Sequence, residues 1–411
     1  MNRIITFARP SRGLLHAVPP ATAALIATLA SPAARAASPV AGGGGGAPVL
    51  FVSSSVDVAP AALGAVQDGT LVRVRAGEPA RRFFGPGHWL ASAGFVPGDV
   101  DGLTVRPGSV PGHHGSLAFS LQGNEQGFLD GDVLALAPGG GLQVVVSEGA
   151  LLVGLGVPAA NLDVDAVAYD AAGRLYVSLQ ANLPGTVLGD LQDGDVLQVA
   201  ADGTLGVHLS ESALDGKLTQ AIGVAAAVGD VQGMEWVAGE LWVVPQGPST
   251  HDGGAFSCGA QPAVVLSEGA IGLDGAELDA LARVEPGADL GRLWLEPQSA
   301  SPGATLLAEF AGGVAGHPLV VLAAGSAGYQ AAPYVAGFGA FYLDPLDPWL
   351  GLAAAGGYPV AVLDGQGSYG TPFTLPSGSA GGAGLSGKPG WSFQTLDLVS
   401  LELGPPFRVS L

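Results

Sequence analysis

The chain has 411 residues, 48% of them hydrophobic and only 12% charged, with 67 glycines, 31 prolines and a net charge of −20. That length suggests two or three domains, and the composition favours short strands and tight turns over long helices, whose wet faces want Lys, Arg and Glu. So acidic a surface excludes nucleic acid as a natural partner and disfavours anionic membranes, while it attracts cations; the lone Cys258 rules out an intrachain disulfide.

Residues 1–36 read as a secretory signal peptide. Arg3, Arg9 and Arg12 form a positive start, Pro20 to Ala30 is an apolar run, and Ala34-Arg35-Ala36 is a small-x-small cleavage pattern. The apolar run is too short for a bilayer, which needs about 20 residues, and no later run reaches that length. The protein is therefore expected to be exported, to the periplasm, the cell surface or the medium, without a membrane span. Residues 37–48, with the tract Gly42 to Gly46, read as a flexible glycine-rich linker.

Residues 49–288 carry an internal repeat. VQDGTLVRV from Val66, FLDGDVLAL from Phe128, LQDGDVLQV from Leu191 and THDGGAFSC from Thr250 align without gaps, and their Asp-Gly pairs at Asp68, Asp130, Asp193 and Asp252 stand 62, 63 and 59 residues apart. Three of these segments lead to VVSE, HLSE or VLSE, ending at Glu148, Glu211 and Glu268. An acidic strand start follows: GDVDGLTV from Gly98, LDVDAVAY from Leu162, GDVQGMEW from Gly229, AELDALARV from Ala276. A further strand completes each unit: LFVSS from Leu50, and Gly-led runs from Gly115, Gly173 and Gly239. Each unit is predicted to hold four short antiparallel strands, with Asp-Gly as turn chemistry in which Gly supplies positive φ. One such sheet exposes two apolar faces that only neighbouring units can cover, so the period predicts a small β-propeller of four four-stranded blades, or five. The late strand near Asp279 is expected to join the first unit.

DAVAYDAAGRLYVSL from Asp165, followed by DGDVLQVAADG, resembles blades of the NHL and SMP-30-like propeller families. GDVQGMEWVAGELWVV from Gly229 is similar to a strand of the esterase-like and phytase-like propellers. The resemblance implies a propeller fold over roughly residues 49–285. It departs from the family pattern where that pattern has Glu, for which this chain has Asp101, Asp165 and Gln232.

From residue 289 to 411 the repeat gives way to strands with Pro-Gly turns, among them LVVLAAG, FYLDP, YPVAVLDG, WSFQTLDL and FRVSL. Their pattern predicts an antiparallel β-sandwich, so the whole chain is expected to be all-β. The run SPGAT from Ser301, the turn around Asp344 and the run from Phe393 resemble a C-terminal β-sandwich module of unknown activity found in secreted bacterial repeat proteins.

The repeated acids are the candidate binding residues: Asp99, Asp101, Asp163, Asp165, Glu235 and Asp279 begin equivalent strands. If those strands are innermost, the carboxylates converge, and Ca²⁺, which takes six to eight oxygens, is the cation they would hold. Their recurrence equally suits turn-capping, a need that returns in every unit. No nucleophile elbow, H-E-x-x-H or Cys/His metal spacing occurs, so no catalytic residue is nominated and no cofactor other than Ca²⁺ is expected. Two functions follow. One is a secreted, non-enzymatic binding or surface-associated protein recognising a carbohydrate or protein ligand; the other is a Ca²⁺-assisted hydrolase of the lactonase or phosphoesterase kind.

Overall fold

The computed structural model describes residues 48–55, 57, 59, 66–75, 78–107, 117–137, 141–158, 161–246, 254–273, 275 and 277–284 of the repeat region. Beyond it, it describes 292–296, 301, 304–311, 315–324, 334–335, 339–340, 360–365, 368–374, 390–399 and 407–410. The stretch read as a signal peptide, the linker stretch apart from Pro48, the Asp252 turn and the turn around Asp344 lie outside the described residues.

The molecule is mostly β. Strands β1 (Val49–Ser54), β2 (Leu71–Arg75) and β3 (Glu78–Phe84) are followed by β4 (Leu103–Val105), β5 (Leu117–Phe119), β6 (Val133–Leu136) and β7 (Leu142–Val146). Next come β8 (Val164–Tyr169), β9 (Leu175–Leu179), a short hairpin of β10 (Leu183–Thr186) and β11 (Gly189–Leu191), β12 (Val196–Val199) and β13 (Leu205–Leu209). Then follow β14 (Val231–Val237), β15 (Glu240–Pro245), β16 (Ala255–Ser257), β17 (Val264–Leu266) and β18 (Leu278–Val284). They build four antiparallel four-stranded sheets: β4-β5-β6-β7, β8-β9-β12-β13, β14-β15-β16-β17, and β18-β1-β2-β3. As expected from the sequence, the late strand joins the first unit, with Val49 opposite Val284 and Val52 opposite Leu281.

Strand β1 shows why both faces of these sheets are apolar. Alternate side chains of a strand point to opposite faces. Val49 and Phe51 pack with Trp89, Leu103 and Phe119 of the next sheet, while Leu50 and Val52 pack with Val244 and Ala255 of the last. The second and third sheets share a cluster that includes Val133, Val167 and Val177, and the third and fourth one that includes Tyr176, Met234 and Phe256. Strand β4 packs against β8, β8 against β14, β14 against β18 and β18 against β4.

The turns repeat side-chain chemistry as well as shape. Asp132 accepts from the Leu129 and Glu148 amides at 3.0 and 2.9 Å, and Asp195 repeats this with Gln192 and Glu211 at 3.0 and 2.8 Å. Among the described Asp-Gly pairs the glycine is required for different reasons, and the positive φ expected from the sequence holds only at Gly69. Gly69 has φ +69°, as expected of a turn. Gly131 is needed instead for close approach, since a Cβ there would lie 2.1 Å from the Leu162 carbonyl oxygen.

The Ser-Glu pairs do something the composition did not suggest: they start helices. Ser147, Ser210 and Ser267 stand at the N-caps of Glu148–Leu155, Glu211–Ile222 and Glu268–Ile271, each stopped by a left-handed glycine, Gly156, Gly223 or Gly272. Leu151 and Leu155 of the first, and Leu214 and Leu218 of the second, are buried in the clusters between sheets. A fourth helix, Pro86–Ser92, carries the buried Trp89, whose indole donates to the Gly69 carbonyl at 2.8 Å. None of the described helices is long and apolar enough to cross a membrane.

The C-terminal part has strands β19 (Arg292–Glu296), β20 (Thr305–Ala311), β21 (Pro318–Ala324), β22 (Tyr334–Val335), β23 (Gly339–Ala340), β24 (Val360–Val362), β25 (Tyr369–Thr374), β26 (Gly390–Asp397) and β27 (Phe407–Ser410). Sheet β19-β20-β25 and sheet β24-β21-β26-β27 share one core, in which Leu306 and Phe310 meet Trp391, Phe393 and Val409. Phe407 also reaches the repeat region. Its ring lies edge-on to His88, 4.8 Å between centroids, and occupies the space a side chain at Gly87 would need.

Candidate metal centre

The site begins with small residues. At or just before the start of the four first strands, β4, β8, β14 and β18, Asp101-Gly102, Asp165-Ala166, Gln232-Gly233 and Asp279-Ala280 occupy equivalent places in the alignment. A Cβ on Gly102 would stand 2.9 Å from the Val167 nitrogen, and one on Gly233 3.3 Å from Ala280 Cα. Ala166 and Ala280 are fully buried. These residues let the strands approach, and the polar residue before each is carried inward with them.

Each of those four polar residues presents a buried oxygen with no hydrogen-bond donor: Oδ2 of Asp101, Oδ1 of Asp165, Oε1 of Gln232 and both carboxylate oxygens of Asp279. Two residues upstream, Asp99 and Asp230 each accept from the following amide at 2.7 Å. That bond caps the strand start, which is the structural role the repetition suggested, and Asp163 makes the same kind of bond with the Val164 amide. It leaves Oδ2 of Asp99 and Oδ1 of Asp163 without a donor, and Oδ1 of Asp68 joins them from the turn before β2.

The oxygens fall into two groups. One atom each from Asp68, Asp99 and Asp279 lie within 4.8 Å of one another, and so do one each from Asp101, Asp163 and Asp165. Two ligands on opposite sides of a Ca²⁺ are about 4.8 Å apart, so either group suits an oxygen-bound cation of that size. Asp230 abuts Asp165, and Asp99 abuts both Asp68 and Asp279. Paired carboxylates have no hydrogen to exchange unless one keeps its proton. Burial first, then the neighbouring carboxylates, push Asp101 up to about 8, and burial with Asp130 pushes Asp163 up to about 7. Asp68, Asp99, Asp165, Asp230 and Asp279 are all raised, chiefly by burial.

Of the acids singled out from sequence, Asp99, Asp101, Asp163, Asp165 and Asp279 are brought together. Glu235 is not at a strand start. It sits five residues on from Asp230, roughly 16 Å at the rise of a strand, and is fully engaged. Its Oε2 accepts from Thr104 Oγ1 at 3.0 Å and the Arg283 amide at 3.1 Å, and Oε1 from the Trp236 amide at 2.7 Å. Thr104 Oγ1 in turn accepts from the Tyr169 amide at 3.2 Å, so this pair links all four first strands. Asp68 and Asp230 belong to the site without having been nominated, and Gln232 presents its oxygen at the aligned position of the third strand start. The signal for two of them lay in the alignment, which sets Gln232 level with Asp101 and Asp230 level with Asp99. Gln232, a departure from the family pattern, still supplies an oxygen at the shared position.

No protein-family model matches the sequence, and no curated protein matches it.

Proposed function

We propose that this chain is an exported four-bladed β-propeller followed by a β-sandwich, and that it binds an oxygen-preferring divalent cation, Ca²⁺, at one end of its four first strands. The cation-bearing end then serves as the recognition surface for an extracellular carbohydrate or protein ligand. The carrying observation is that one side chain from each first strand, at an equivalent position, offers a buried oxygen with no donor. Such oxygens are costly to bury, and cation binding at this end relieves that cost, with Asp101, Asp163 and Asp165 as one ready ligand group. All-oxygen donors favour Ca²⁺ over Zn²⁺, which prefers nitrogen and sulfur. The propeller reading is supported by four sheets of four strands, by first strands that pack in cyclic succession and by the pairing of β18 with β1. The export reading is supported by the N-terminal pattern of charge, apolar run and small residues.

Calorimetric titration of the chelator-stripped protein with Ca²⁺ tests this. Saturating binding is expected, with a melting temperature about 5 °C or more higher at a hundredfold excess over Kd. No heat and no shift would end the proposal. Glycan and peptide arrays probed with and without Ca²⁺ then identify the ligand class. Turnover of lactones or phosphate esters by the Ca²⁺-loaded protein would replace the binding role with a catalytic one.

A further inference from the structure

We propose that the acidic end holds a second cation, at Asp68, Asp99 and Asp279, and that this cation clamps the last strand of the repeat region onto the first sheet. The inference rests on the cation-binding reading above and adds a distinct site with a distinct task.

The three ligands come from separate places in the chain. Asp279 lies on β18, the strand contributed last. Asp68 lies in the turn leading into β2 of the same sheet, and Asp99 precedes β4, the first strand of the next sheet. Strand β18 is held to β1 by its backbone ladder, and β4 and β14 flank it. A cation shared by Asp68, Asp99 and Asp279 would therefore bridge the place where residues more than two hundred positions apart in the chain must meet.

The ligand set is prepared for such an ion. Asp279 is 4% exposed and Asp99 3% exposed, yet both oxygens of Asp279 and Oδ2 of Asp99 have no donor, and Asp68 brings an oxygen within 4.8 Å of one from each. The other group, Asp101, Asp163 and Asp165, draws its ligands from the second and third sheets alone and leaves this seam untouched.

The experiment counts cations and follows the seam in the full chain. Native mass spectrometry and calorimetry should give two Ca²⁺ per wild-type chain, one for Asp279→Asn, and one for Asp68→Asn, whose half-buried position makes it the gentler change. Hydrogen exchange at residues 278–284 should slow at least tenfold when Ca²⁺ is added to wild type, and should change less than twofold in either variant. Asp165→Asn, which removes a ligand of the other group, should keep the Ca²⁺-dependent protection of 278–284. One Ca²⁺ in wild type, unaffected by Asp279→Asn and Asp68→Asn, overturns the second site while leaving the cation-binding reading intact. Two Ca²⁺ with no change in exchange at 278–284 overturns the clamp. Absence of any Ca²⁺ binding overturns both.

Discussion

The two ends of the same four strands treat carboxylates in opposite ways. At one end Glu235, completely buried, spends its oxygens on Thr104, the Arg283 amide and the Trp236 amide, and so fastens neighbouring strands to one another. At the other end Asp101, Asp165 and Asp279 carry buried oxygens that meet no donor beyond a neighbouring carboxyl. What separates a strut from a site here is the supply of donors, since all four are buried carboxylates.

That contrast predicts opposite mutational signs. The largest effect is expected at the satisfied end. Glu235→Ala leaves the Thr104 hydroxyl and the Arg283 and Trp236 amides unpaired in the core, and should lower stability by about 3 kcal/mol or more in urea denaturation. If it is neutral, Glu235 is no strut. At the other end Asp165→Asn removes like-charge repulsion, so in chelator it should raise stability by about 1 kcal/mol while weakening Ca²⁺ binding at least tenfold; a loss of stability there would erase the contrast.

A pH series sharpens the comparison. Asp101 and Asp163 hold protons in the fold up to about 8 and about 7, whereas in the unfolded chain they ionise near 4. A raised pKa stabilises the fold fully below the unfolded value, and that contribution is lost as pH rises through the folded one. With chelator present, the melting temperature should therefore fall between about pH 4 and pH 8. Saturating Ca²⁺ should oppose that fall, because cation binding gains as the protons leave. An unchanged profile in Asp101→Asn would remove this carboxylate as its source. The smallest effect is expected far from either end. Glu309 meets Arg82 at 3.5 Å and is half-exposed, so Glu309→Ala should alter stability by less than about 0.5 kcal/mol.

Much of this was legible in the sequence because the repeat writes the same chemistry several times. The turn aspartates, the strand starts and the return of the late strand to the first sheet all follow from aligned residues. Glu235 was misplaced because alternation along a strand gives a side chain's face but not its distance from the end, and its partners Thr104, Tyr169 and Arg283 come from other units. The helix after Ser147 is hidden for a different reason. Glu148–Leu155 is apolar almost all round and short, so it lacks the wet face by which a helix is recognised, and what remains is a cap serine and a stopping glycine.

Strand β1 is made first and completed last. Its partner β18 lies at Leu278–Val284, so during synthesis one edge of the first sheet stays without a neighbour until nearly all of the repeat region has emerged. Such an open edge invites pairing with other chains, and contacts so distant in sequence form slowly. A newborn chain of this design is thus exposed to aggregation for most of its synthesis, and a holding chaperone that covers residues 49–54 would protect it through that interval.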